Sequence, residues 1–164
     1  MKSIIVADTS PLIALAKLQH LYLLNNEFSG VHVPLMVLSE ATRDLQRPDA
    51  RLIRDFSTEH LIVHEDADNE FCQQLRQTLD EGEVQALNLA RQLHCVVLMD
   101  EQMGRQVAQS YQIPVVGVLG ILLKAKQSGV IPALAPFIKA LQAQDYRLST
   151  ALVQKVLQIV NEKY

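Results

Sequence analysis

Short, β-rich apolar runs alternate along this chain with longer stretches whose apolar residues recur at helical spacing. Ile4-Ile5-Val6-Ala7, Val31-His32-Val33, Leu61-Ile62-Val63-His64, Cys95 to Met99 and Pro114-Val115-Val116 read as strands. A helix is predicted over PLIALAKLQHLYLL, with Thr9 or Ser10 as its cap and Pro11 inside its first turn. Another follows from Pro34, carrying Leu35, Leu38 and Leu45, and a third runs from about Pro48 to Glu59. The acidic run Glu65 to Glu70 reads as a helix N-terminal turn, where negative charge suits the dipole. Gly82 is expected to separate that helix from one beginning near Glu83, and Gln102 to Tyr111 reads as helical. Two or three helices finish the chain. Such alternation implies one domain over residues 1–164, a mostly parallel sheet with helices on both faces.

Composition narrows the class. With 164 residues, 49% hydrophobic and 20% charged, the chain can bury a full single-domain core, which excludes disordered and collagen-like classes. Cys72 and Cys95 are far apart with no paired-ligand spacing, so a reducing cytoplasmic setting is the expectation. Asp8 interrupts the only apolar N-terminal run, so no secretory leader is expected. The longest apolar stretch, Ile113 to Leu123, is too short to span a bilayer, so no membrane partner is expected. A net charge of −3 argues against a protein that coats nucleic acid generally. That average hides an asymmetry. Through Ala90 there are seven Lys/Arg against fourteen Asp/Glu, whereas from Arg91 onward there are eight against four.

Ligands of open α/β sheets collect at the carboxyl ends of strands. Asp8 directly follows IIVA and Asp100 directly follows CVVLM. A lone Asp there commonly serves a turn or cap, but two after two buried strands point to a site. Glu40, in the helix after VHVP, can project back toward the strand ends. Glu83 opens the helix before the Cys95 strand, with Asp80 and Glu81 just upstream, and spacing does not separate Glu81 from Glu83. Their ordinary alternatives are a solvated helix surface and helix-terminus charge. Converging carboxylates need a cation, and an all-oxygen set favours Mg²⁺ or Mn²⁺ over zinc. The five histidines show no ligand spacing and read as packing or surface residues. The chain lacks a GxxxxGK[ST] loop, a GxGxxG turn and a GxSxG elbow. Hydrolysis of a phosphodiester by water activated at a divalent cation remains.

The basic half offers Arg105, Lys124 and Lys126 as phosphate contacts, against the alternative of solvated helix faces. Aromatic residues make up 5% with no Trp, which disfavours base-stacking platforms. Gly117 and Gly120 read as turn or close-packing positions rather than phosphate contacts.

Four motifs in order carry a resemblance. IIVADTSPLIALAKL resembles the opening of PIN-domain proteins, and VPLMVLSEA, with Pro34, Val37 and Glu40, resembles their second acidic motif. DEGEVQALNLARQLHCVVLMDEQMGRQVA followed by IPVVGVLGILLKAKQSGVIP is similar to a VapC-like branch. The resemblance spans nearly the whole chain. It implies a three-layer α/β/α sandwich, a Mg²⁺- or Mn²⁺-dependent ribonuclease acting on RNA, and products with a 5′-phosphate and a 3′-hydroxyl. Many relatives are toxins of toxin–antitoxin pairs, commonly homodimers silenced by a small antitoxin protein. Carried over by position, Asp8, Glu40, Glu83 and Asp100 match the acidic residues, and Thr9 or Ser10 the hydroxyl beside the first. Glu101 stands where relatives of this branch often carry a second Asp, and its longer side chain relaxes the geometry of a metal site. The alternatives from other classes are a binding module with a vestigial acid pocket, acting through RNA or an antitoxin, and a small-molecule phosphohydrolase.

Overall fold

The structure, a computed structural model, describes residues 2–163; Met1 and Tyr164, the ends of the predicted domain, lie outside the described residues. The chain runs β1 (Ile4–Ala7), α1 (Thr9–Lys17), α2 (Tyr22–Glu27), β2 (Gly30–Pro34), α3 (Leu35–Ala41), α4 (Pro48–His60) and β3 (Leu61–His64). It continues through α5 (Glu70–Leu75), α6 (Glu81–Leu93), β4 (Val96–Leu98), α7 (Gln102–Ser110) and β5 (Val115–Val116). Three helices follow: α8 (Val118–Gln127), α9 (Ala135–Ala143) and α10 (Thr150–Ile159). The five strands form one sheet in the order β3-β2-β1-β4-β5, and every pairing is parallel. Helices flank this sheet in an α/β/α sandwich, as the alternation in the sequence predicts.

The strand order fixes where a site can form. From β1 the chain winds outward through β2 to β3, then returns to the other side of β1 and winds outward through β4 to β5. Right-handed crossovers in opposite directions place the two sets of connecting helices on opposite faces. The order reverses between β1 and β4, so their C-terminal ends open a crevice there. In the register, Ile5 lies between Val31 and Val96, and Ala7 beside Leu98. Ile5, Val6, Ala7, Val97 and Leu98 have no exposed surface, which is why both central strands read as continuous apolar runs.

Five of the expected assignments differ in the structure. The helix predicted over residues 11–24 is two helices. Gln19 turns left-handed (φ 58°), and the N–H of His20 bonds back to the Leu15 carbonyl at 2.9 Å, closing α1 although the apolar spacing continues. Neither Thr9 nor Ser10 caps α1; Asp8 holds the cap position and Thr9 is already helical. The helix after Pro34 ends at Ala41 and buries Val37 and Ala41, while Leu35 and Leu45 are exposed. The acidic run forms no helix before Glu70, which opens α5: residues 65–69 are irregular, with Asp66 Oδ1 accepting the Met36 N–H and the Gln85 side chain holding the Ala67 backbone. The α5 cap is Asn69, which accepts the Cys72 N–H. Gly82 lies inside the first turn of α6 rather than before it.

Cys72 and Cys95 are buried free thiols. His32 Nδ1 and His64 Nε2 meet across β2 and β3 at 2.8 Å, and His20 packs on Tyr22 and Phe137. Among the described residues, no helix is long and apolar enough to cross a membrane.

Candidate active site

Asp8 leaves β1 with its N–H bonded to the Leu98 carbonyl of β4 at 3.0 Å, which carries the sheet ladder one residue beyond the strand. Its side chain is 5% exposed and gives no cap bond to α1. Burial is the main reason its carboxyl is pushed up to about 7. The Thr9 N–H opposes that rise, and the charges of Asp80, Glu40 and Glu101 reinforce it.

Glu40, in the last turn of α3, reaches the same crevice. Its Oε2 accepts the Thr9 hydroxyl at 3.1 Å. Burial raises its carboxyl first, the Thr9 bond opposes, and Asp80 raises it further. Gly82 of α6 makes room here. A Cβ at that position would lie 3.0 Å from both Glu40 carboxylate oxygens.

Glu83 arrives through a reciprocal cap at the start of α6. Asp80 Oδ1 accepts the Glu83 N–H at 2.9 Å, and Glu83 Oε1 accepts the Asp80 N–H at 3.2 Å. Glu83 Oε2 is left buried with no hydrogen-bond partner. Burial, then the Asp80 and Asp8 carboxylates, push Glu83 up to about 8, against the pull of the Asp80 N–H. Gly104 of α7 lies against both Glu83 and Glu101: its N–H donates to Glu101 Oε2 at 2.9 Å, and a Cβ there would stand 3.0 Å from Glu83 Oε2.

Of the residues expected from sequence, the structure thus brings Asp8, Glu40, Glu83 and Glu101 to one crevice, with Thr9 as the hydroxyl that reaches a carboxylate. Ser10 is exposed on α1. Glu81 turns outward to Arg76, whose Nε and Nη2 donate to it at 2.9 Å each, and Arg76 is the first cause of its lowered carboxyl pKa. Asp100 stands apart from this group in its bonding. Its Oδ2 accepts the Val118 N–H at 3.0 Å and the Tyr146 hydroxyl at 2.6 Å, and its Oδ1 faces Arg105 Nη1 at 3.9 Å. Burial and the Asp100 charge hold the Tyr146 phenol well above its ordinary pKa. Arg105 thus places a positive charge beside Asp100.

The basic candidates divide. Arg105 is anchored beside Asp100 and donates to the Met99 carbonyl at 3.0 Å. Lys124 stacks over the Phe28 ring at 5.2 Å and tempers the charge of Glu27, and Lys126 donates to the Pro132 carbonyl at 2.8 Å. Those contacts belong to the α2–α8 packing and the end of α8 rather than to the carboxylates.

Sequence reasoning undervalued Asp80 and Glu101, because both occupy helix caps, where an acid needs no further explanation. The Asp-x-x-Glu spacing of residues 80–83 carries the capping-box signal that aims Glu83. Tyr146 carried no local signal, since 46 residues separate it from Asp100.

The oxygen-only donor set suits Mg²⁺ or Mn²⁺. Among the described residues, however, no three His, Cys, Asp or Glu side chains stand close enough together to hold an ion as arranged. The orphaned Glu83 oxygen and the raised carboxyls of Asp8, Glu40 and Glu83 are what a site built around a missing positive charge displays. The residues fit a hard divalent cation in chemistry and in charge.

A family model described as a PIN domain matches residues 4–162 of the chain. No curated protein matches it.

Proposed function

The chain belongs to the PIN-domain family, and from that premise we propose that it is a Mg²⁺- or Mn²⁺-dependent endoribonuclease. PIN domains are in general nucleases, and the residues of this crevice support the narrower reading. The observation that carries it is an acidic group the fold leaves uncompensated: Asp8 is 5% exposed, Thr9 beside it holds Glu40, and Glu83 Oε2 is buried with no hydrogen-bond partner.

Asp8, Glu40, Glu83 and Glu101 would hold the cation. When bound, it supplies the charge that polarises a phosphodiester and makes water a better nucleophile at neutral pH. The chain's own groups do the remainder. Thr9 fixes Glu40 through its hydroxyl and tempers Asp8 through its N–H. The α6 cap aims Glu83 inward while Arg76 keeps Glu81 out. An ionised carboxylate of the group accepts the proton of the attacking water as the water oxygen bonds to phosphorus. The P–O3′ bond breaks, and the leaving 3′-oxygen takes up a proton to become the hydroxyl. Arg105, a guanidinium one-third exposed beside the crevice, offers donors to a substrate phosphate oxygen.

RNA rather than DNA, the 5′-phosphate product, a homodimeric and cytoplasmic state, and control by a small antitoxin all rest on the resemblance of the four motifs to VapC-like toxins. Growth arrest on expression, relieved by the product of an abutting short reading frame, tests the toxin assignment. The direct test of the chemistry is incubation with a pool of cellular RNAs, with and without Mn²⁺, alongside Asp8→Asn. Cleavage that needs Mn²⁺ and is lost in the variant supports the reading. Equal cleavage by the variant removes it, and Mn²⁺ binding without cleavage of any RNA favours a non-catalytic binding module instead.

A further inference from the structure

We propose that Tyr146, on the connector between α9 and α10, is a positioning residue that sets the substrate-binding guanidinium of Arg105 through Asp100. The inference rests on the reading of the crevice as a phosphodiester-cleaving site and assigns Asp100 a part in it other than holding a cation.

The chain of contacts is continuous. Two donors, the Tyr146 hydroxyl at 2.6 Å and the Val118 N–H at 3.0 Å, converge on one oxygen of Asp100. Two bonds to a single carboxylate oxygen fix the rotation of the group and leave Oδ1 as the oxygen that meets Arg105 at 3.9 Å. The same Nη1 donates to the Met99 carbonyl at 3.0 Å, so one charge and one neutral acceptor locate the guanidinium. Its remaining N–H donors make no hydrogen bond among the described residues, and its side chain is 33% exposed.

An independent feature shows that this arrangement is built into the backbone. Gly117, the cap residue of α8, sits against both partners. A Cβ there would overlap Asp100 Oδ1 and lie 3.1 Å from Arg105 Nη1. Its φ of −101° is ordinary, so the absence of a side chain serves the close approach and not the turn. The assembly also adjoins the acidic group, because Glu101 follows Asp100 directly and its carboxylate accepts the N–H of Gly104, against which Glu83 Oε2 lies. An arginine held at the border of an acidic crevice, with free planar donors, suits a phosphate that also contacts the cation side.

Without the phenol, Asp100 keeps only the Val118 bond, and the guanidinium loses its fixed counter-charge. Tyr146→Phe is therefore expected to raise KM for RNA roughly 3- to 10-fold, with kcat within about twofold. Mn²⁺ affinity, measured by calorimetry on the protein without RNA, is expected to stay unchanged. Asp100→Asn, which keeps an acceptor for both donors but removes the charge, is expected to raise KM similarly. In an Arg105→Ala background, Tyr146→Phe should add almost nothing to KM, because its effect runs through that guanidinium.

A Tyr146 that only packs the connector would give the same loss in both backgrounds, and that additivity overturns the proposal. So does a wild-type KM in Tyr146→Phe. A shift in Mn²⁺ affinity in either single variant overturns it too, by making Asp100 a metal ligand. In each of those outcomes the wild type still cleaves RNA and the functional reading stands. A wild type that neither binds nor cleaves the RNA pool with Mn²⁺ removes both.

Discussion

At the scale of single residues, the crevice holds charge that the fold does not neutralise. Asp8 is buried at 5% exposure beside other acids, and its carboxyl is raised to about 7. Removing that charge should therefore abolish activity and yet strengthen the metal-free fold. For Asp8→Asn we expect loss of Mn²⁺-dependent cleavage by roughly a hundredfold or more. At pH 8 its metal-free unfolding free energy should rise by about 1–3 kcal/mol, read by urea denaturation. A destabilised variant would mean that Asp8 supports the fold and is not strained by it. Gly117 gives the opposite case. Gly117→Ala drives a methyl into an Asp100 carboxylate that Val118 and Tyr146 already pin, so it cannot simply rotate away. A cost of about 1–3 kcal/mol is expected from the overlap. The same chemical denaturation measures it, and a neutral result would show that the Asp100 contacts are loose.

Elements deliver these residues, and the element that matters most is the first turn of α6. Asp80 caps it and Glu83 closes the box, so one motif both starts the helix and orients a site carboxylate. Asp80 also repels Asp8, Glu40 and Glu83. The two roles separate by substitution. Asp80→Ser keeps a cap acceptor and removes the charge, and it should match or exceed wild-type stability at pH 8. Asp80→Ala removes the cap acceptor as well and should fall below Asp80→Ser by about 0.5–2 kcal/mol. Equal stability of the two variants, measured by thermal unfolding, would show that the cap contributes nothing. The same turn explains what the sequence made legible. Ile4–Ala7 and Val96–Leu98 declare themselves because a parallel strand buried on both faces must be apolar throughout, and that places Asp8 and Asp100 at strand ends. Glu40 is legible because a short helix follows β2 directly. The break at Gln19 is not legible, since Leu18, Leu21, Leu23 and Leu24 continue the apolar spacing through a left-handed residue. Glu101 and Asp80 are masked by their caps. The bonding of Asp100 to Tyr146 depends on where the α9–α10 connector lands, which no local pattern encodes.

For the whole molecule, the raised carboxyls set an uncommon pH dependence. Carboxylates usually support a fold by being ionised, so stability falls in acid. Here Asp8 and Glu83 are held near 7 and 8 in the folded chain, far above their ordinary values. Their contribution is complete below about pH 4, where folded and unfolded chains are both protonated. It is lost as pH rises through their folded values, because the unfolded chain releases these protons first. The metal-free protein should therefore unfold at a lower temperature at pH 8.5 than at pH 5.5. Glu27 adds to this from a separate place. At the end of α2 it is 4% exposed, neither oxygen has a hydrogen-bond partner, and burial raises it to about 7 although Lys124 opposes. The two sources differ in what relieves them. A divalent cation at the crevice compensates Asp8, Glu40 and Glu83 but leaves Glu27 as it was, and Glu27→Gln does the reverse. Thermal unfolding of wild type and Glu27→Gln at both pH values, with and without Mn²⁺, reads the two separately. Mn²⁺ should recover part of the loss at pH 8.5 in both proteins, and the substitution should recover a further part that Mn²⁺ does not. If Mn²⁺ left the melting temperature at pH 8.5 unmoved in both proteins, the acidic crevice would not be a cation site, whatever its charge.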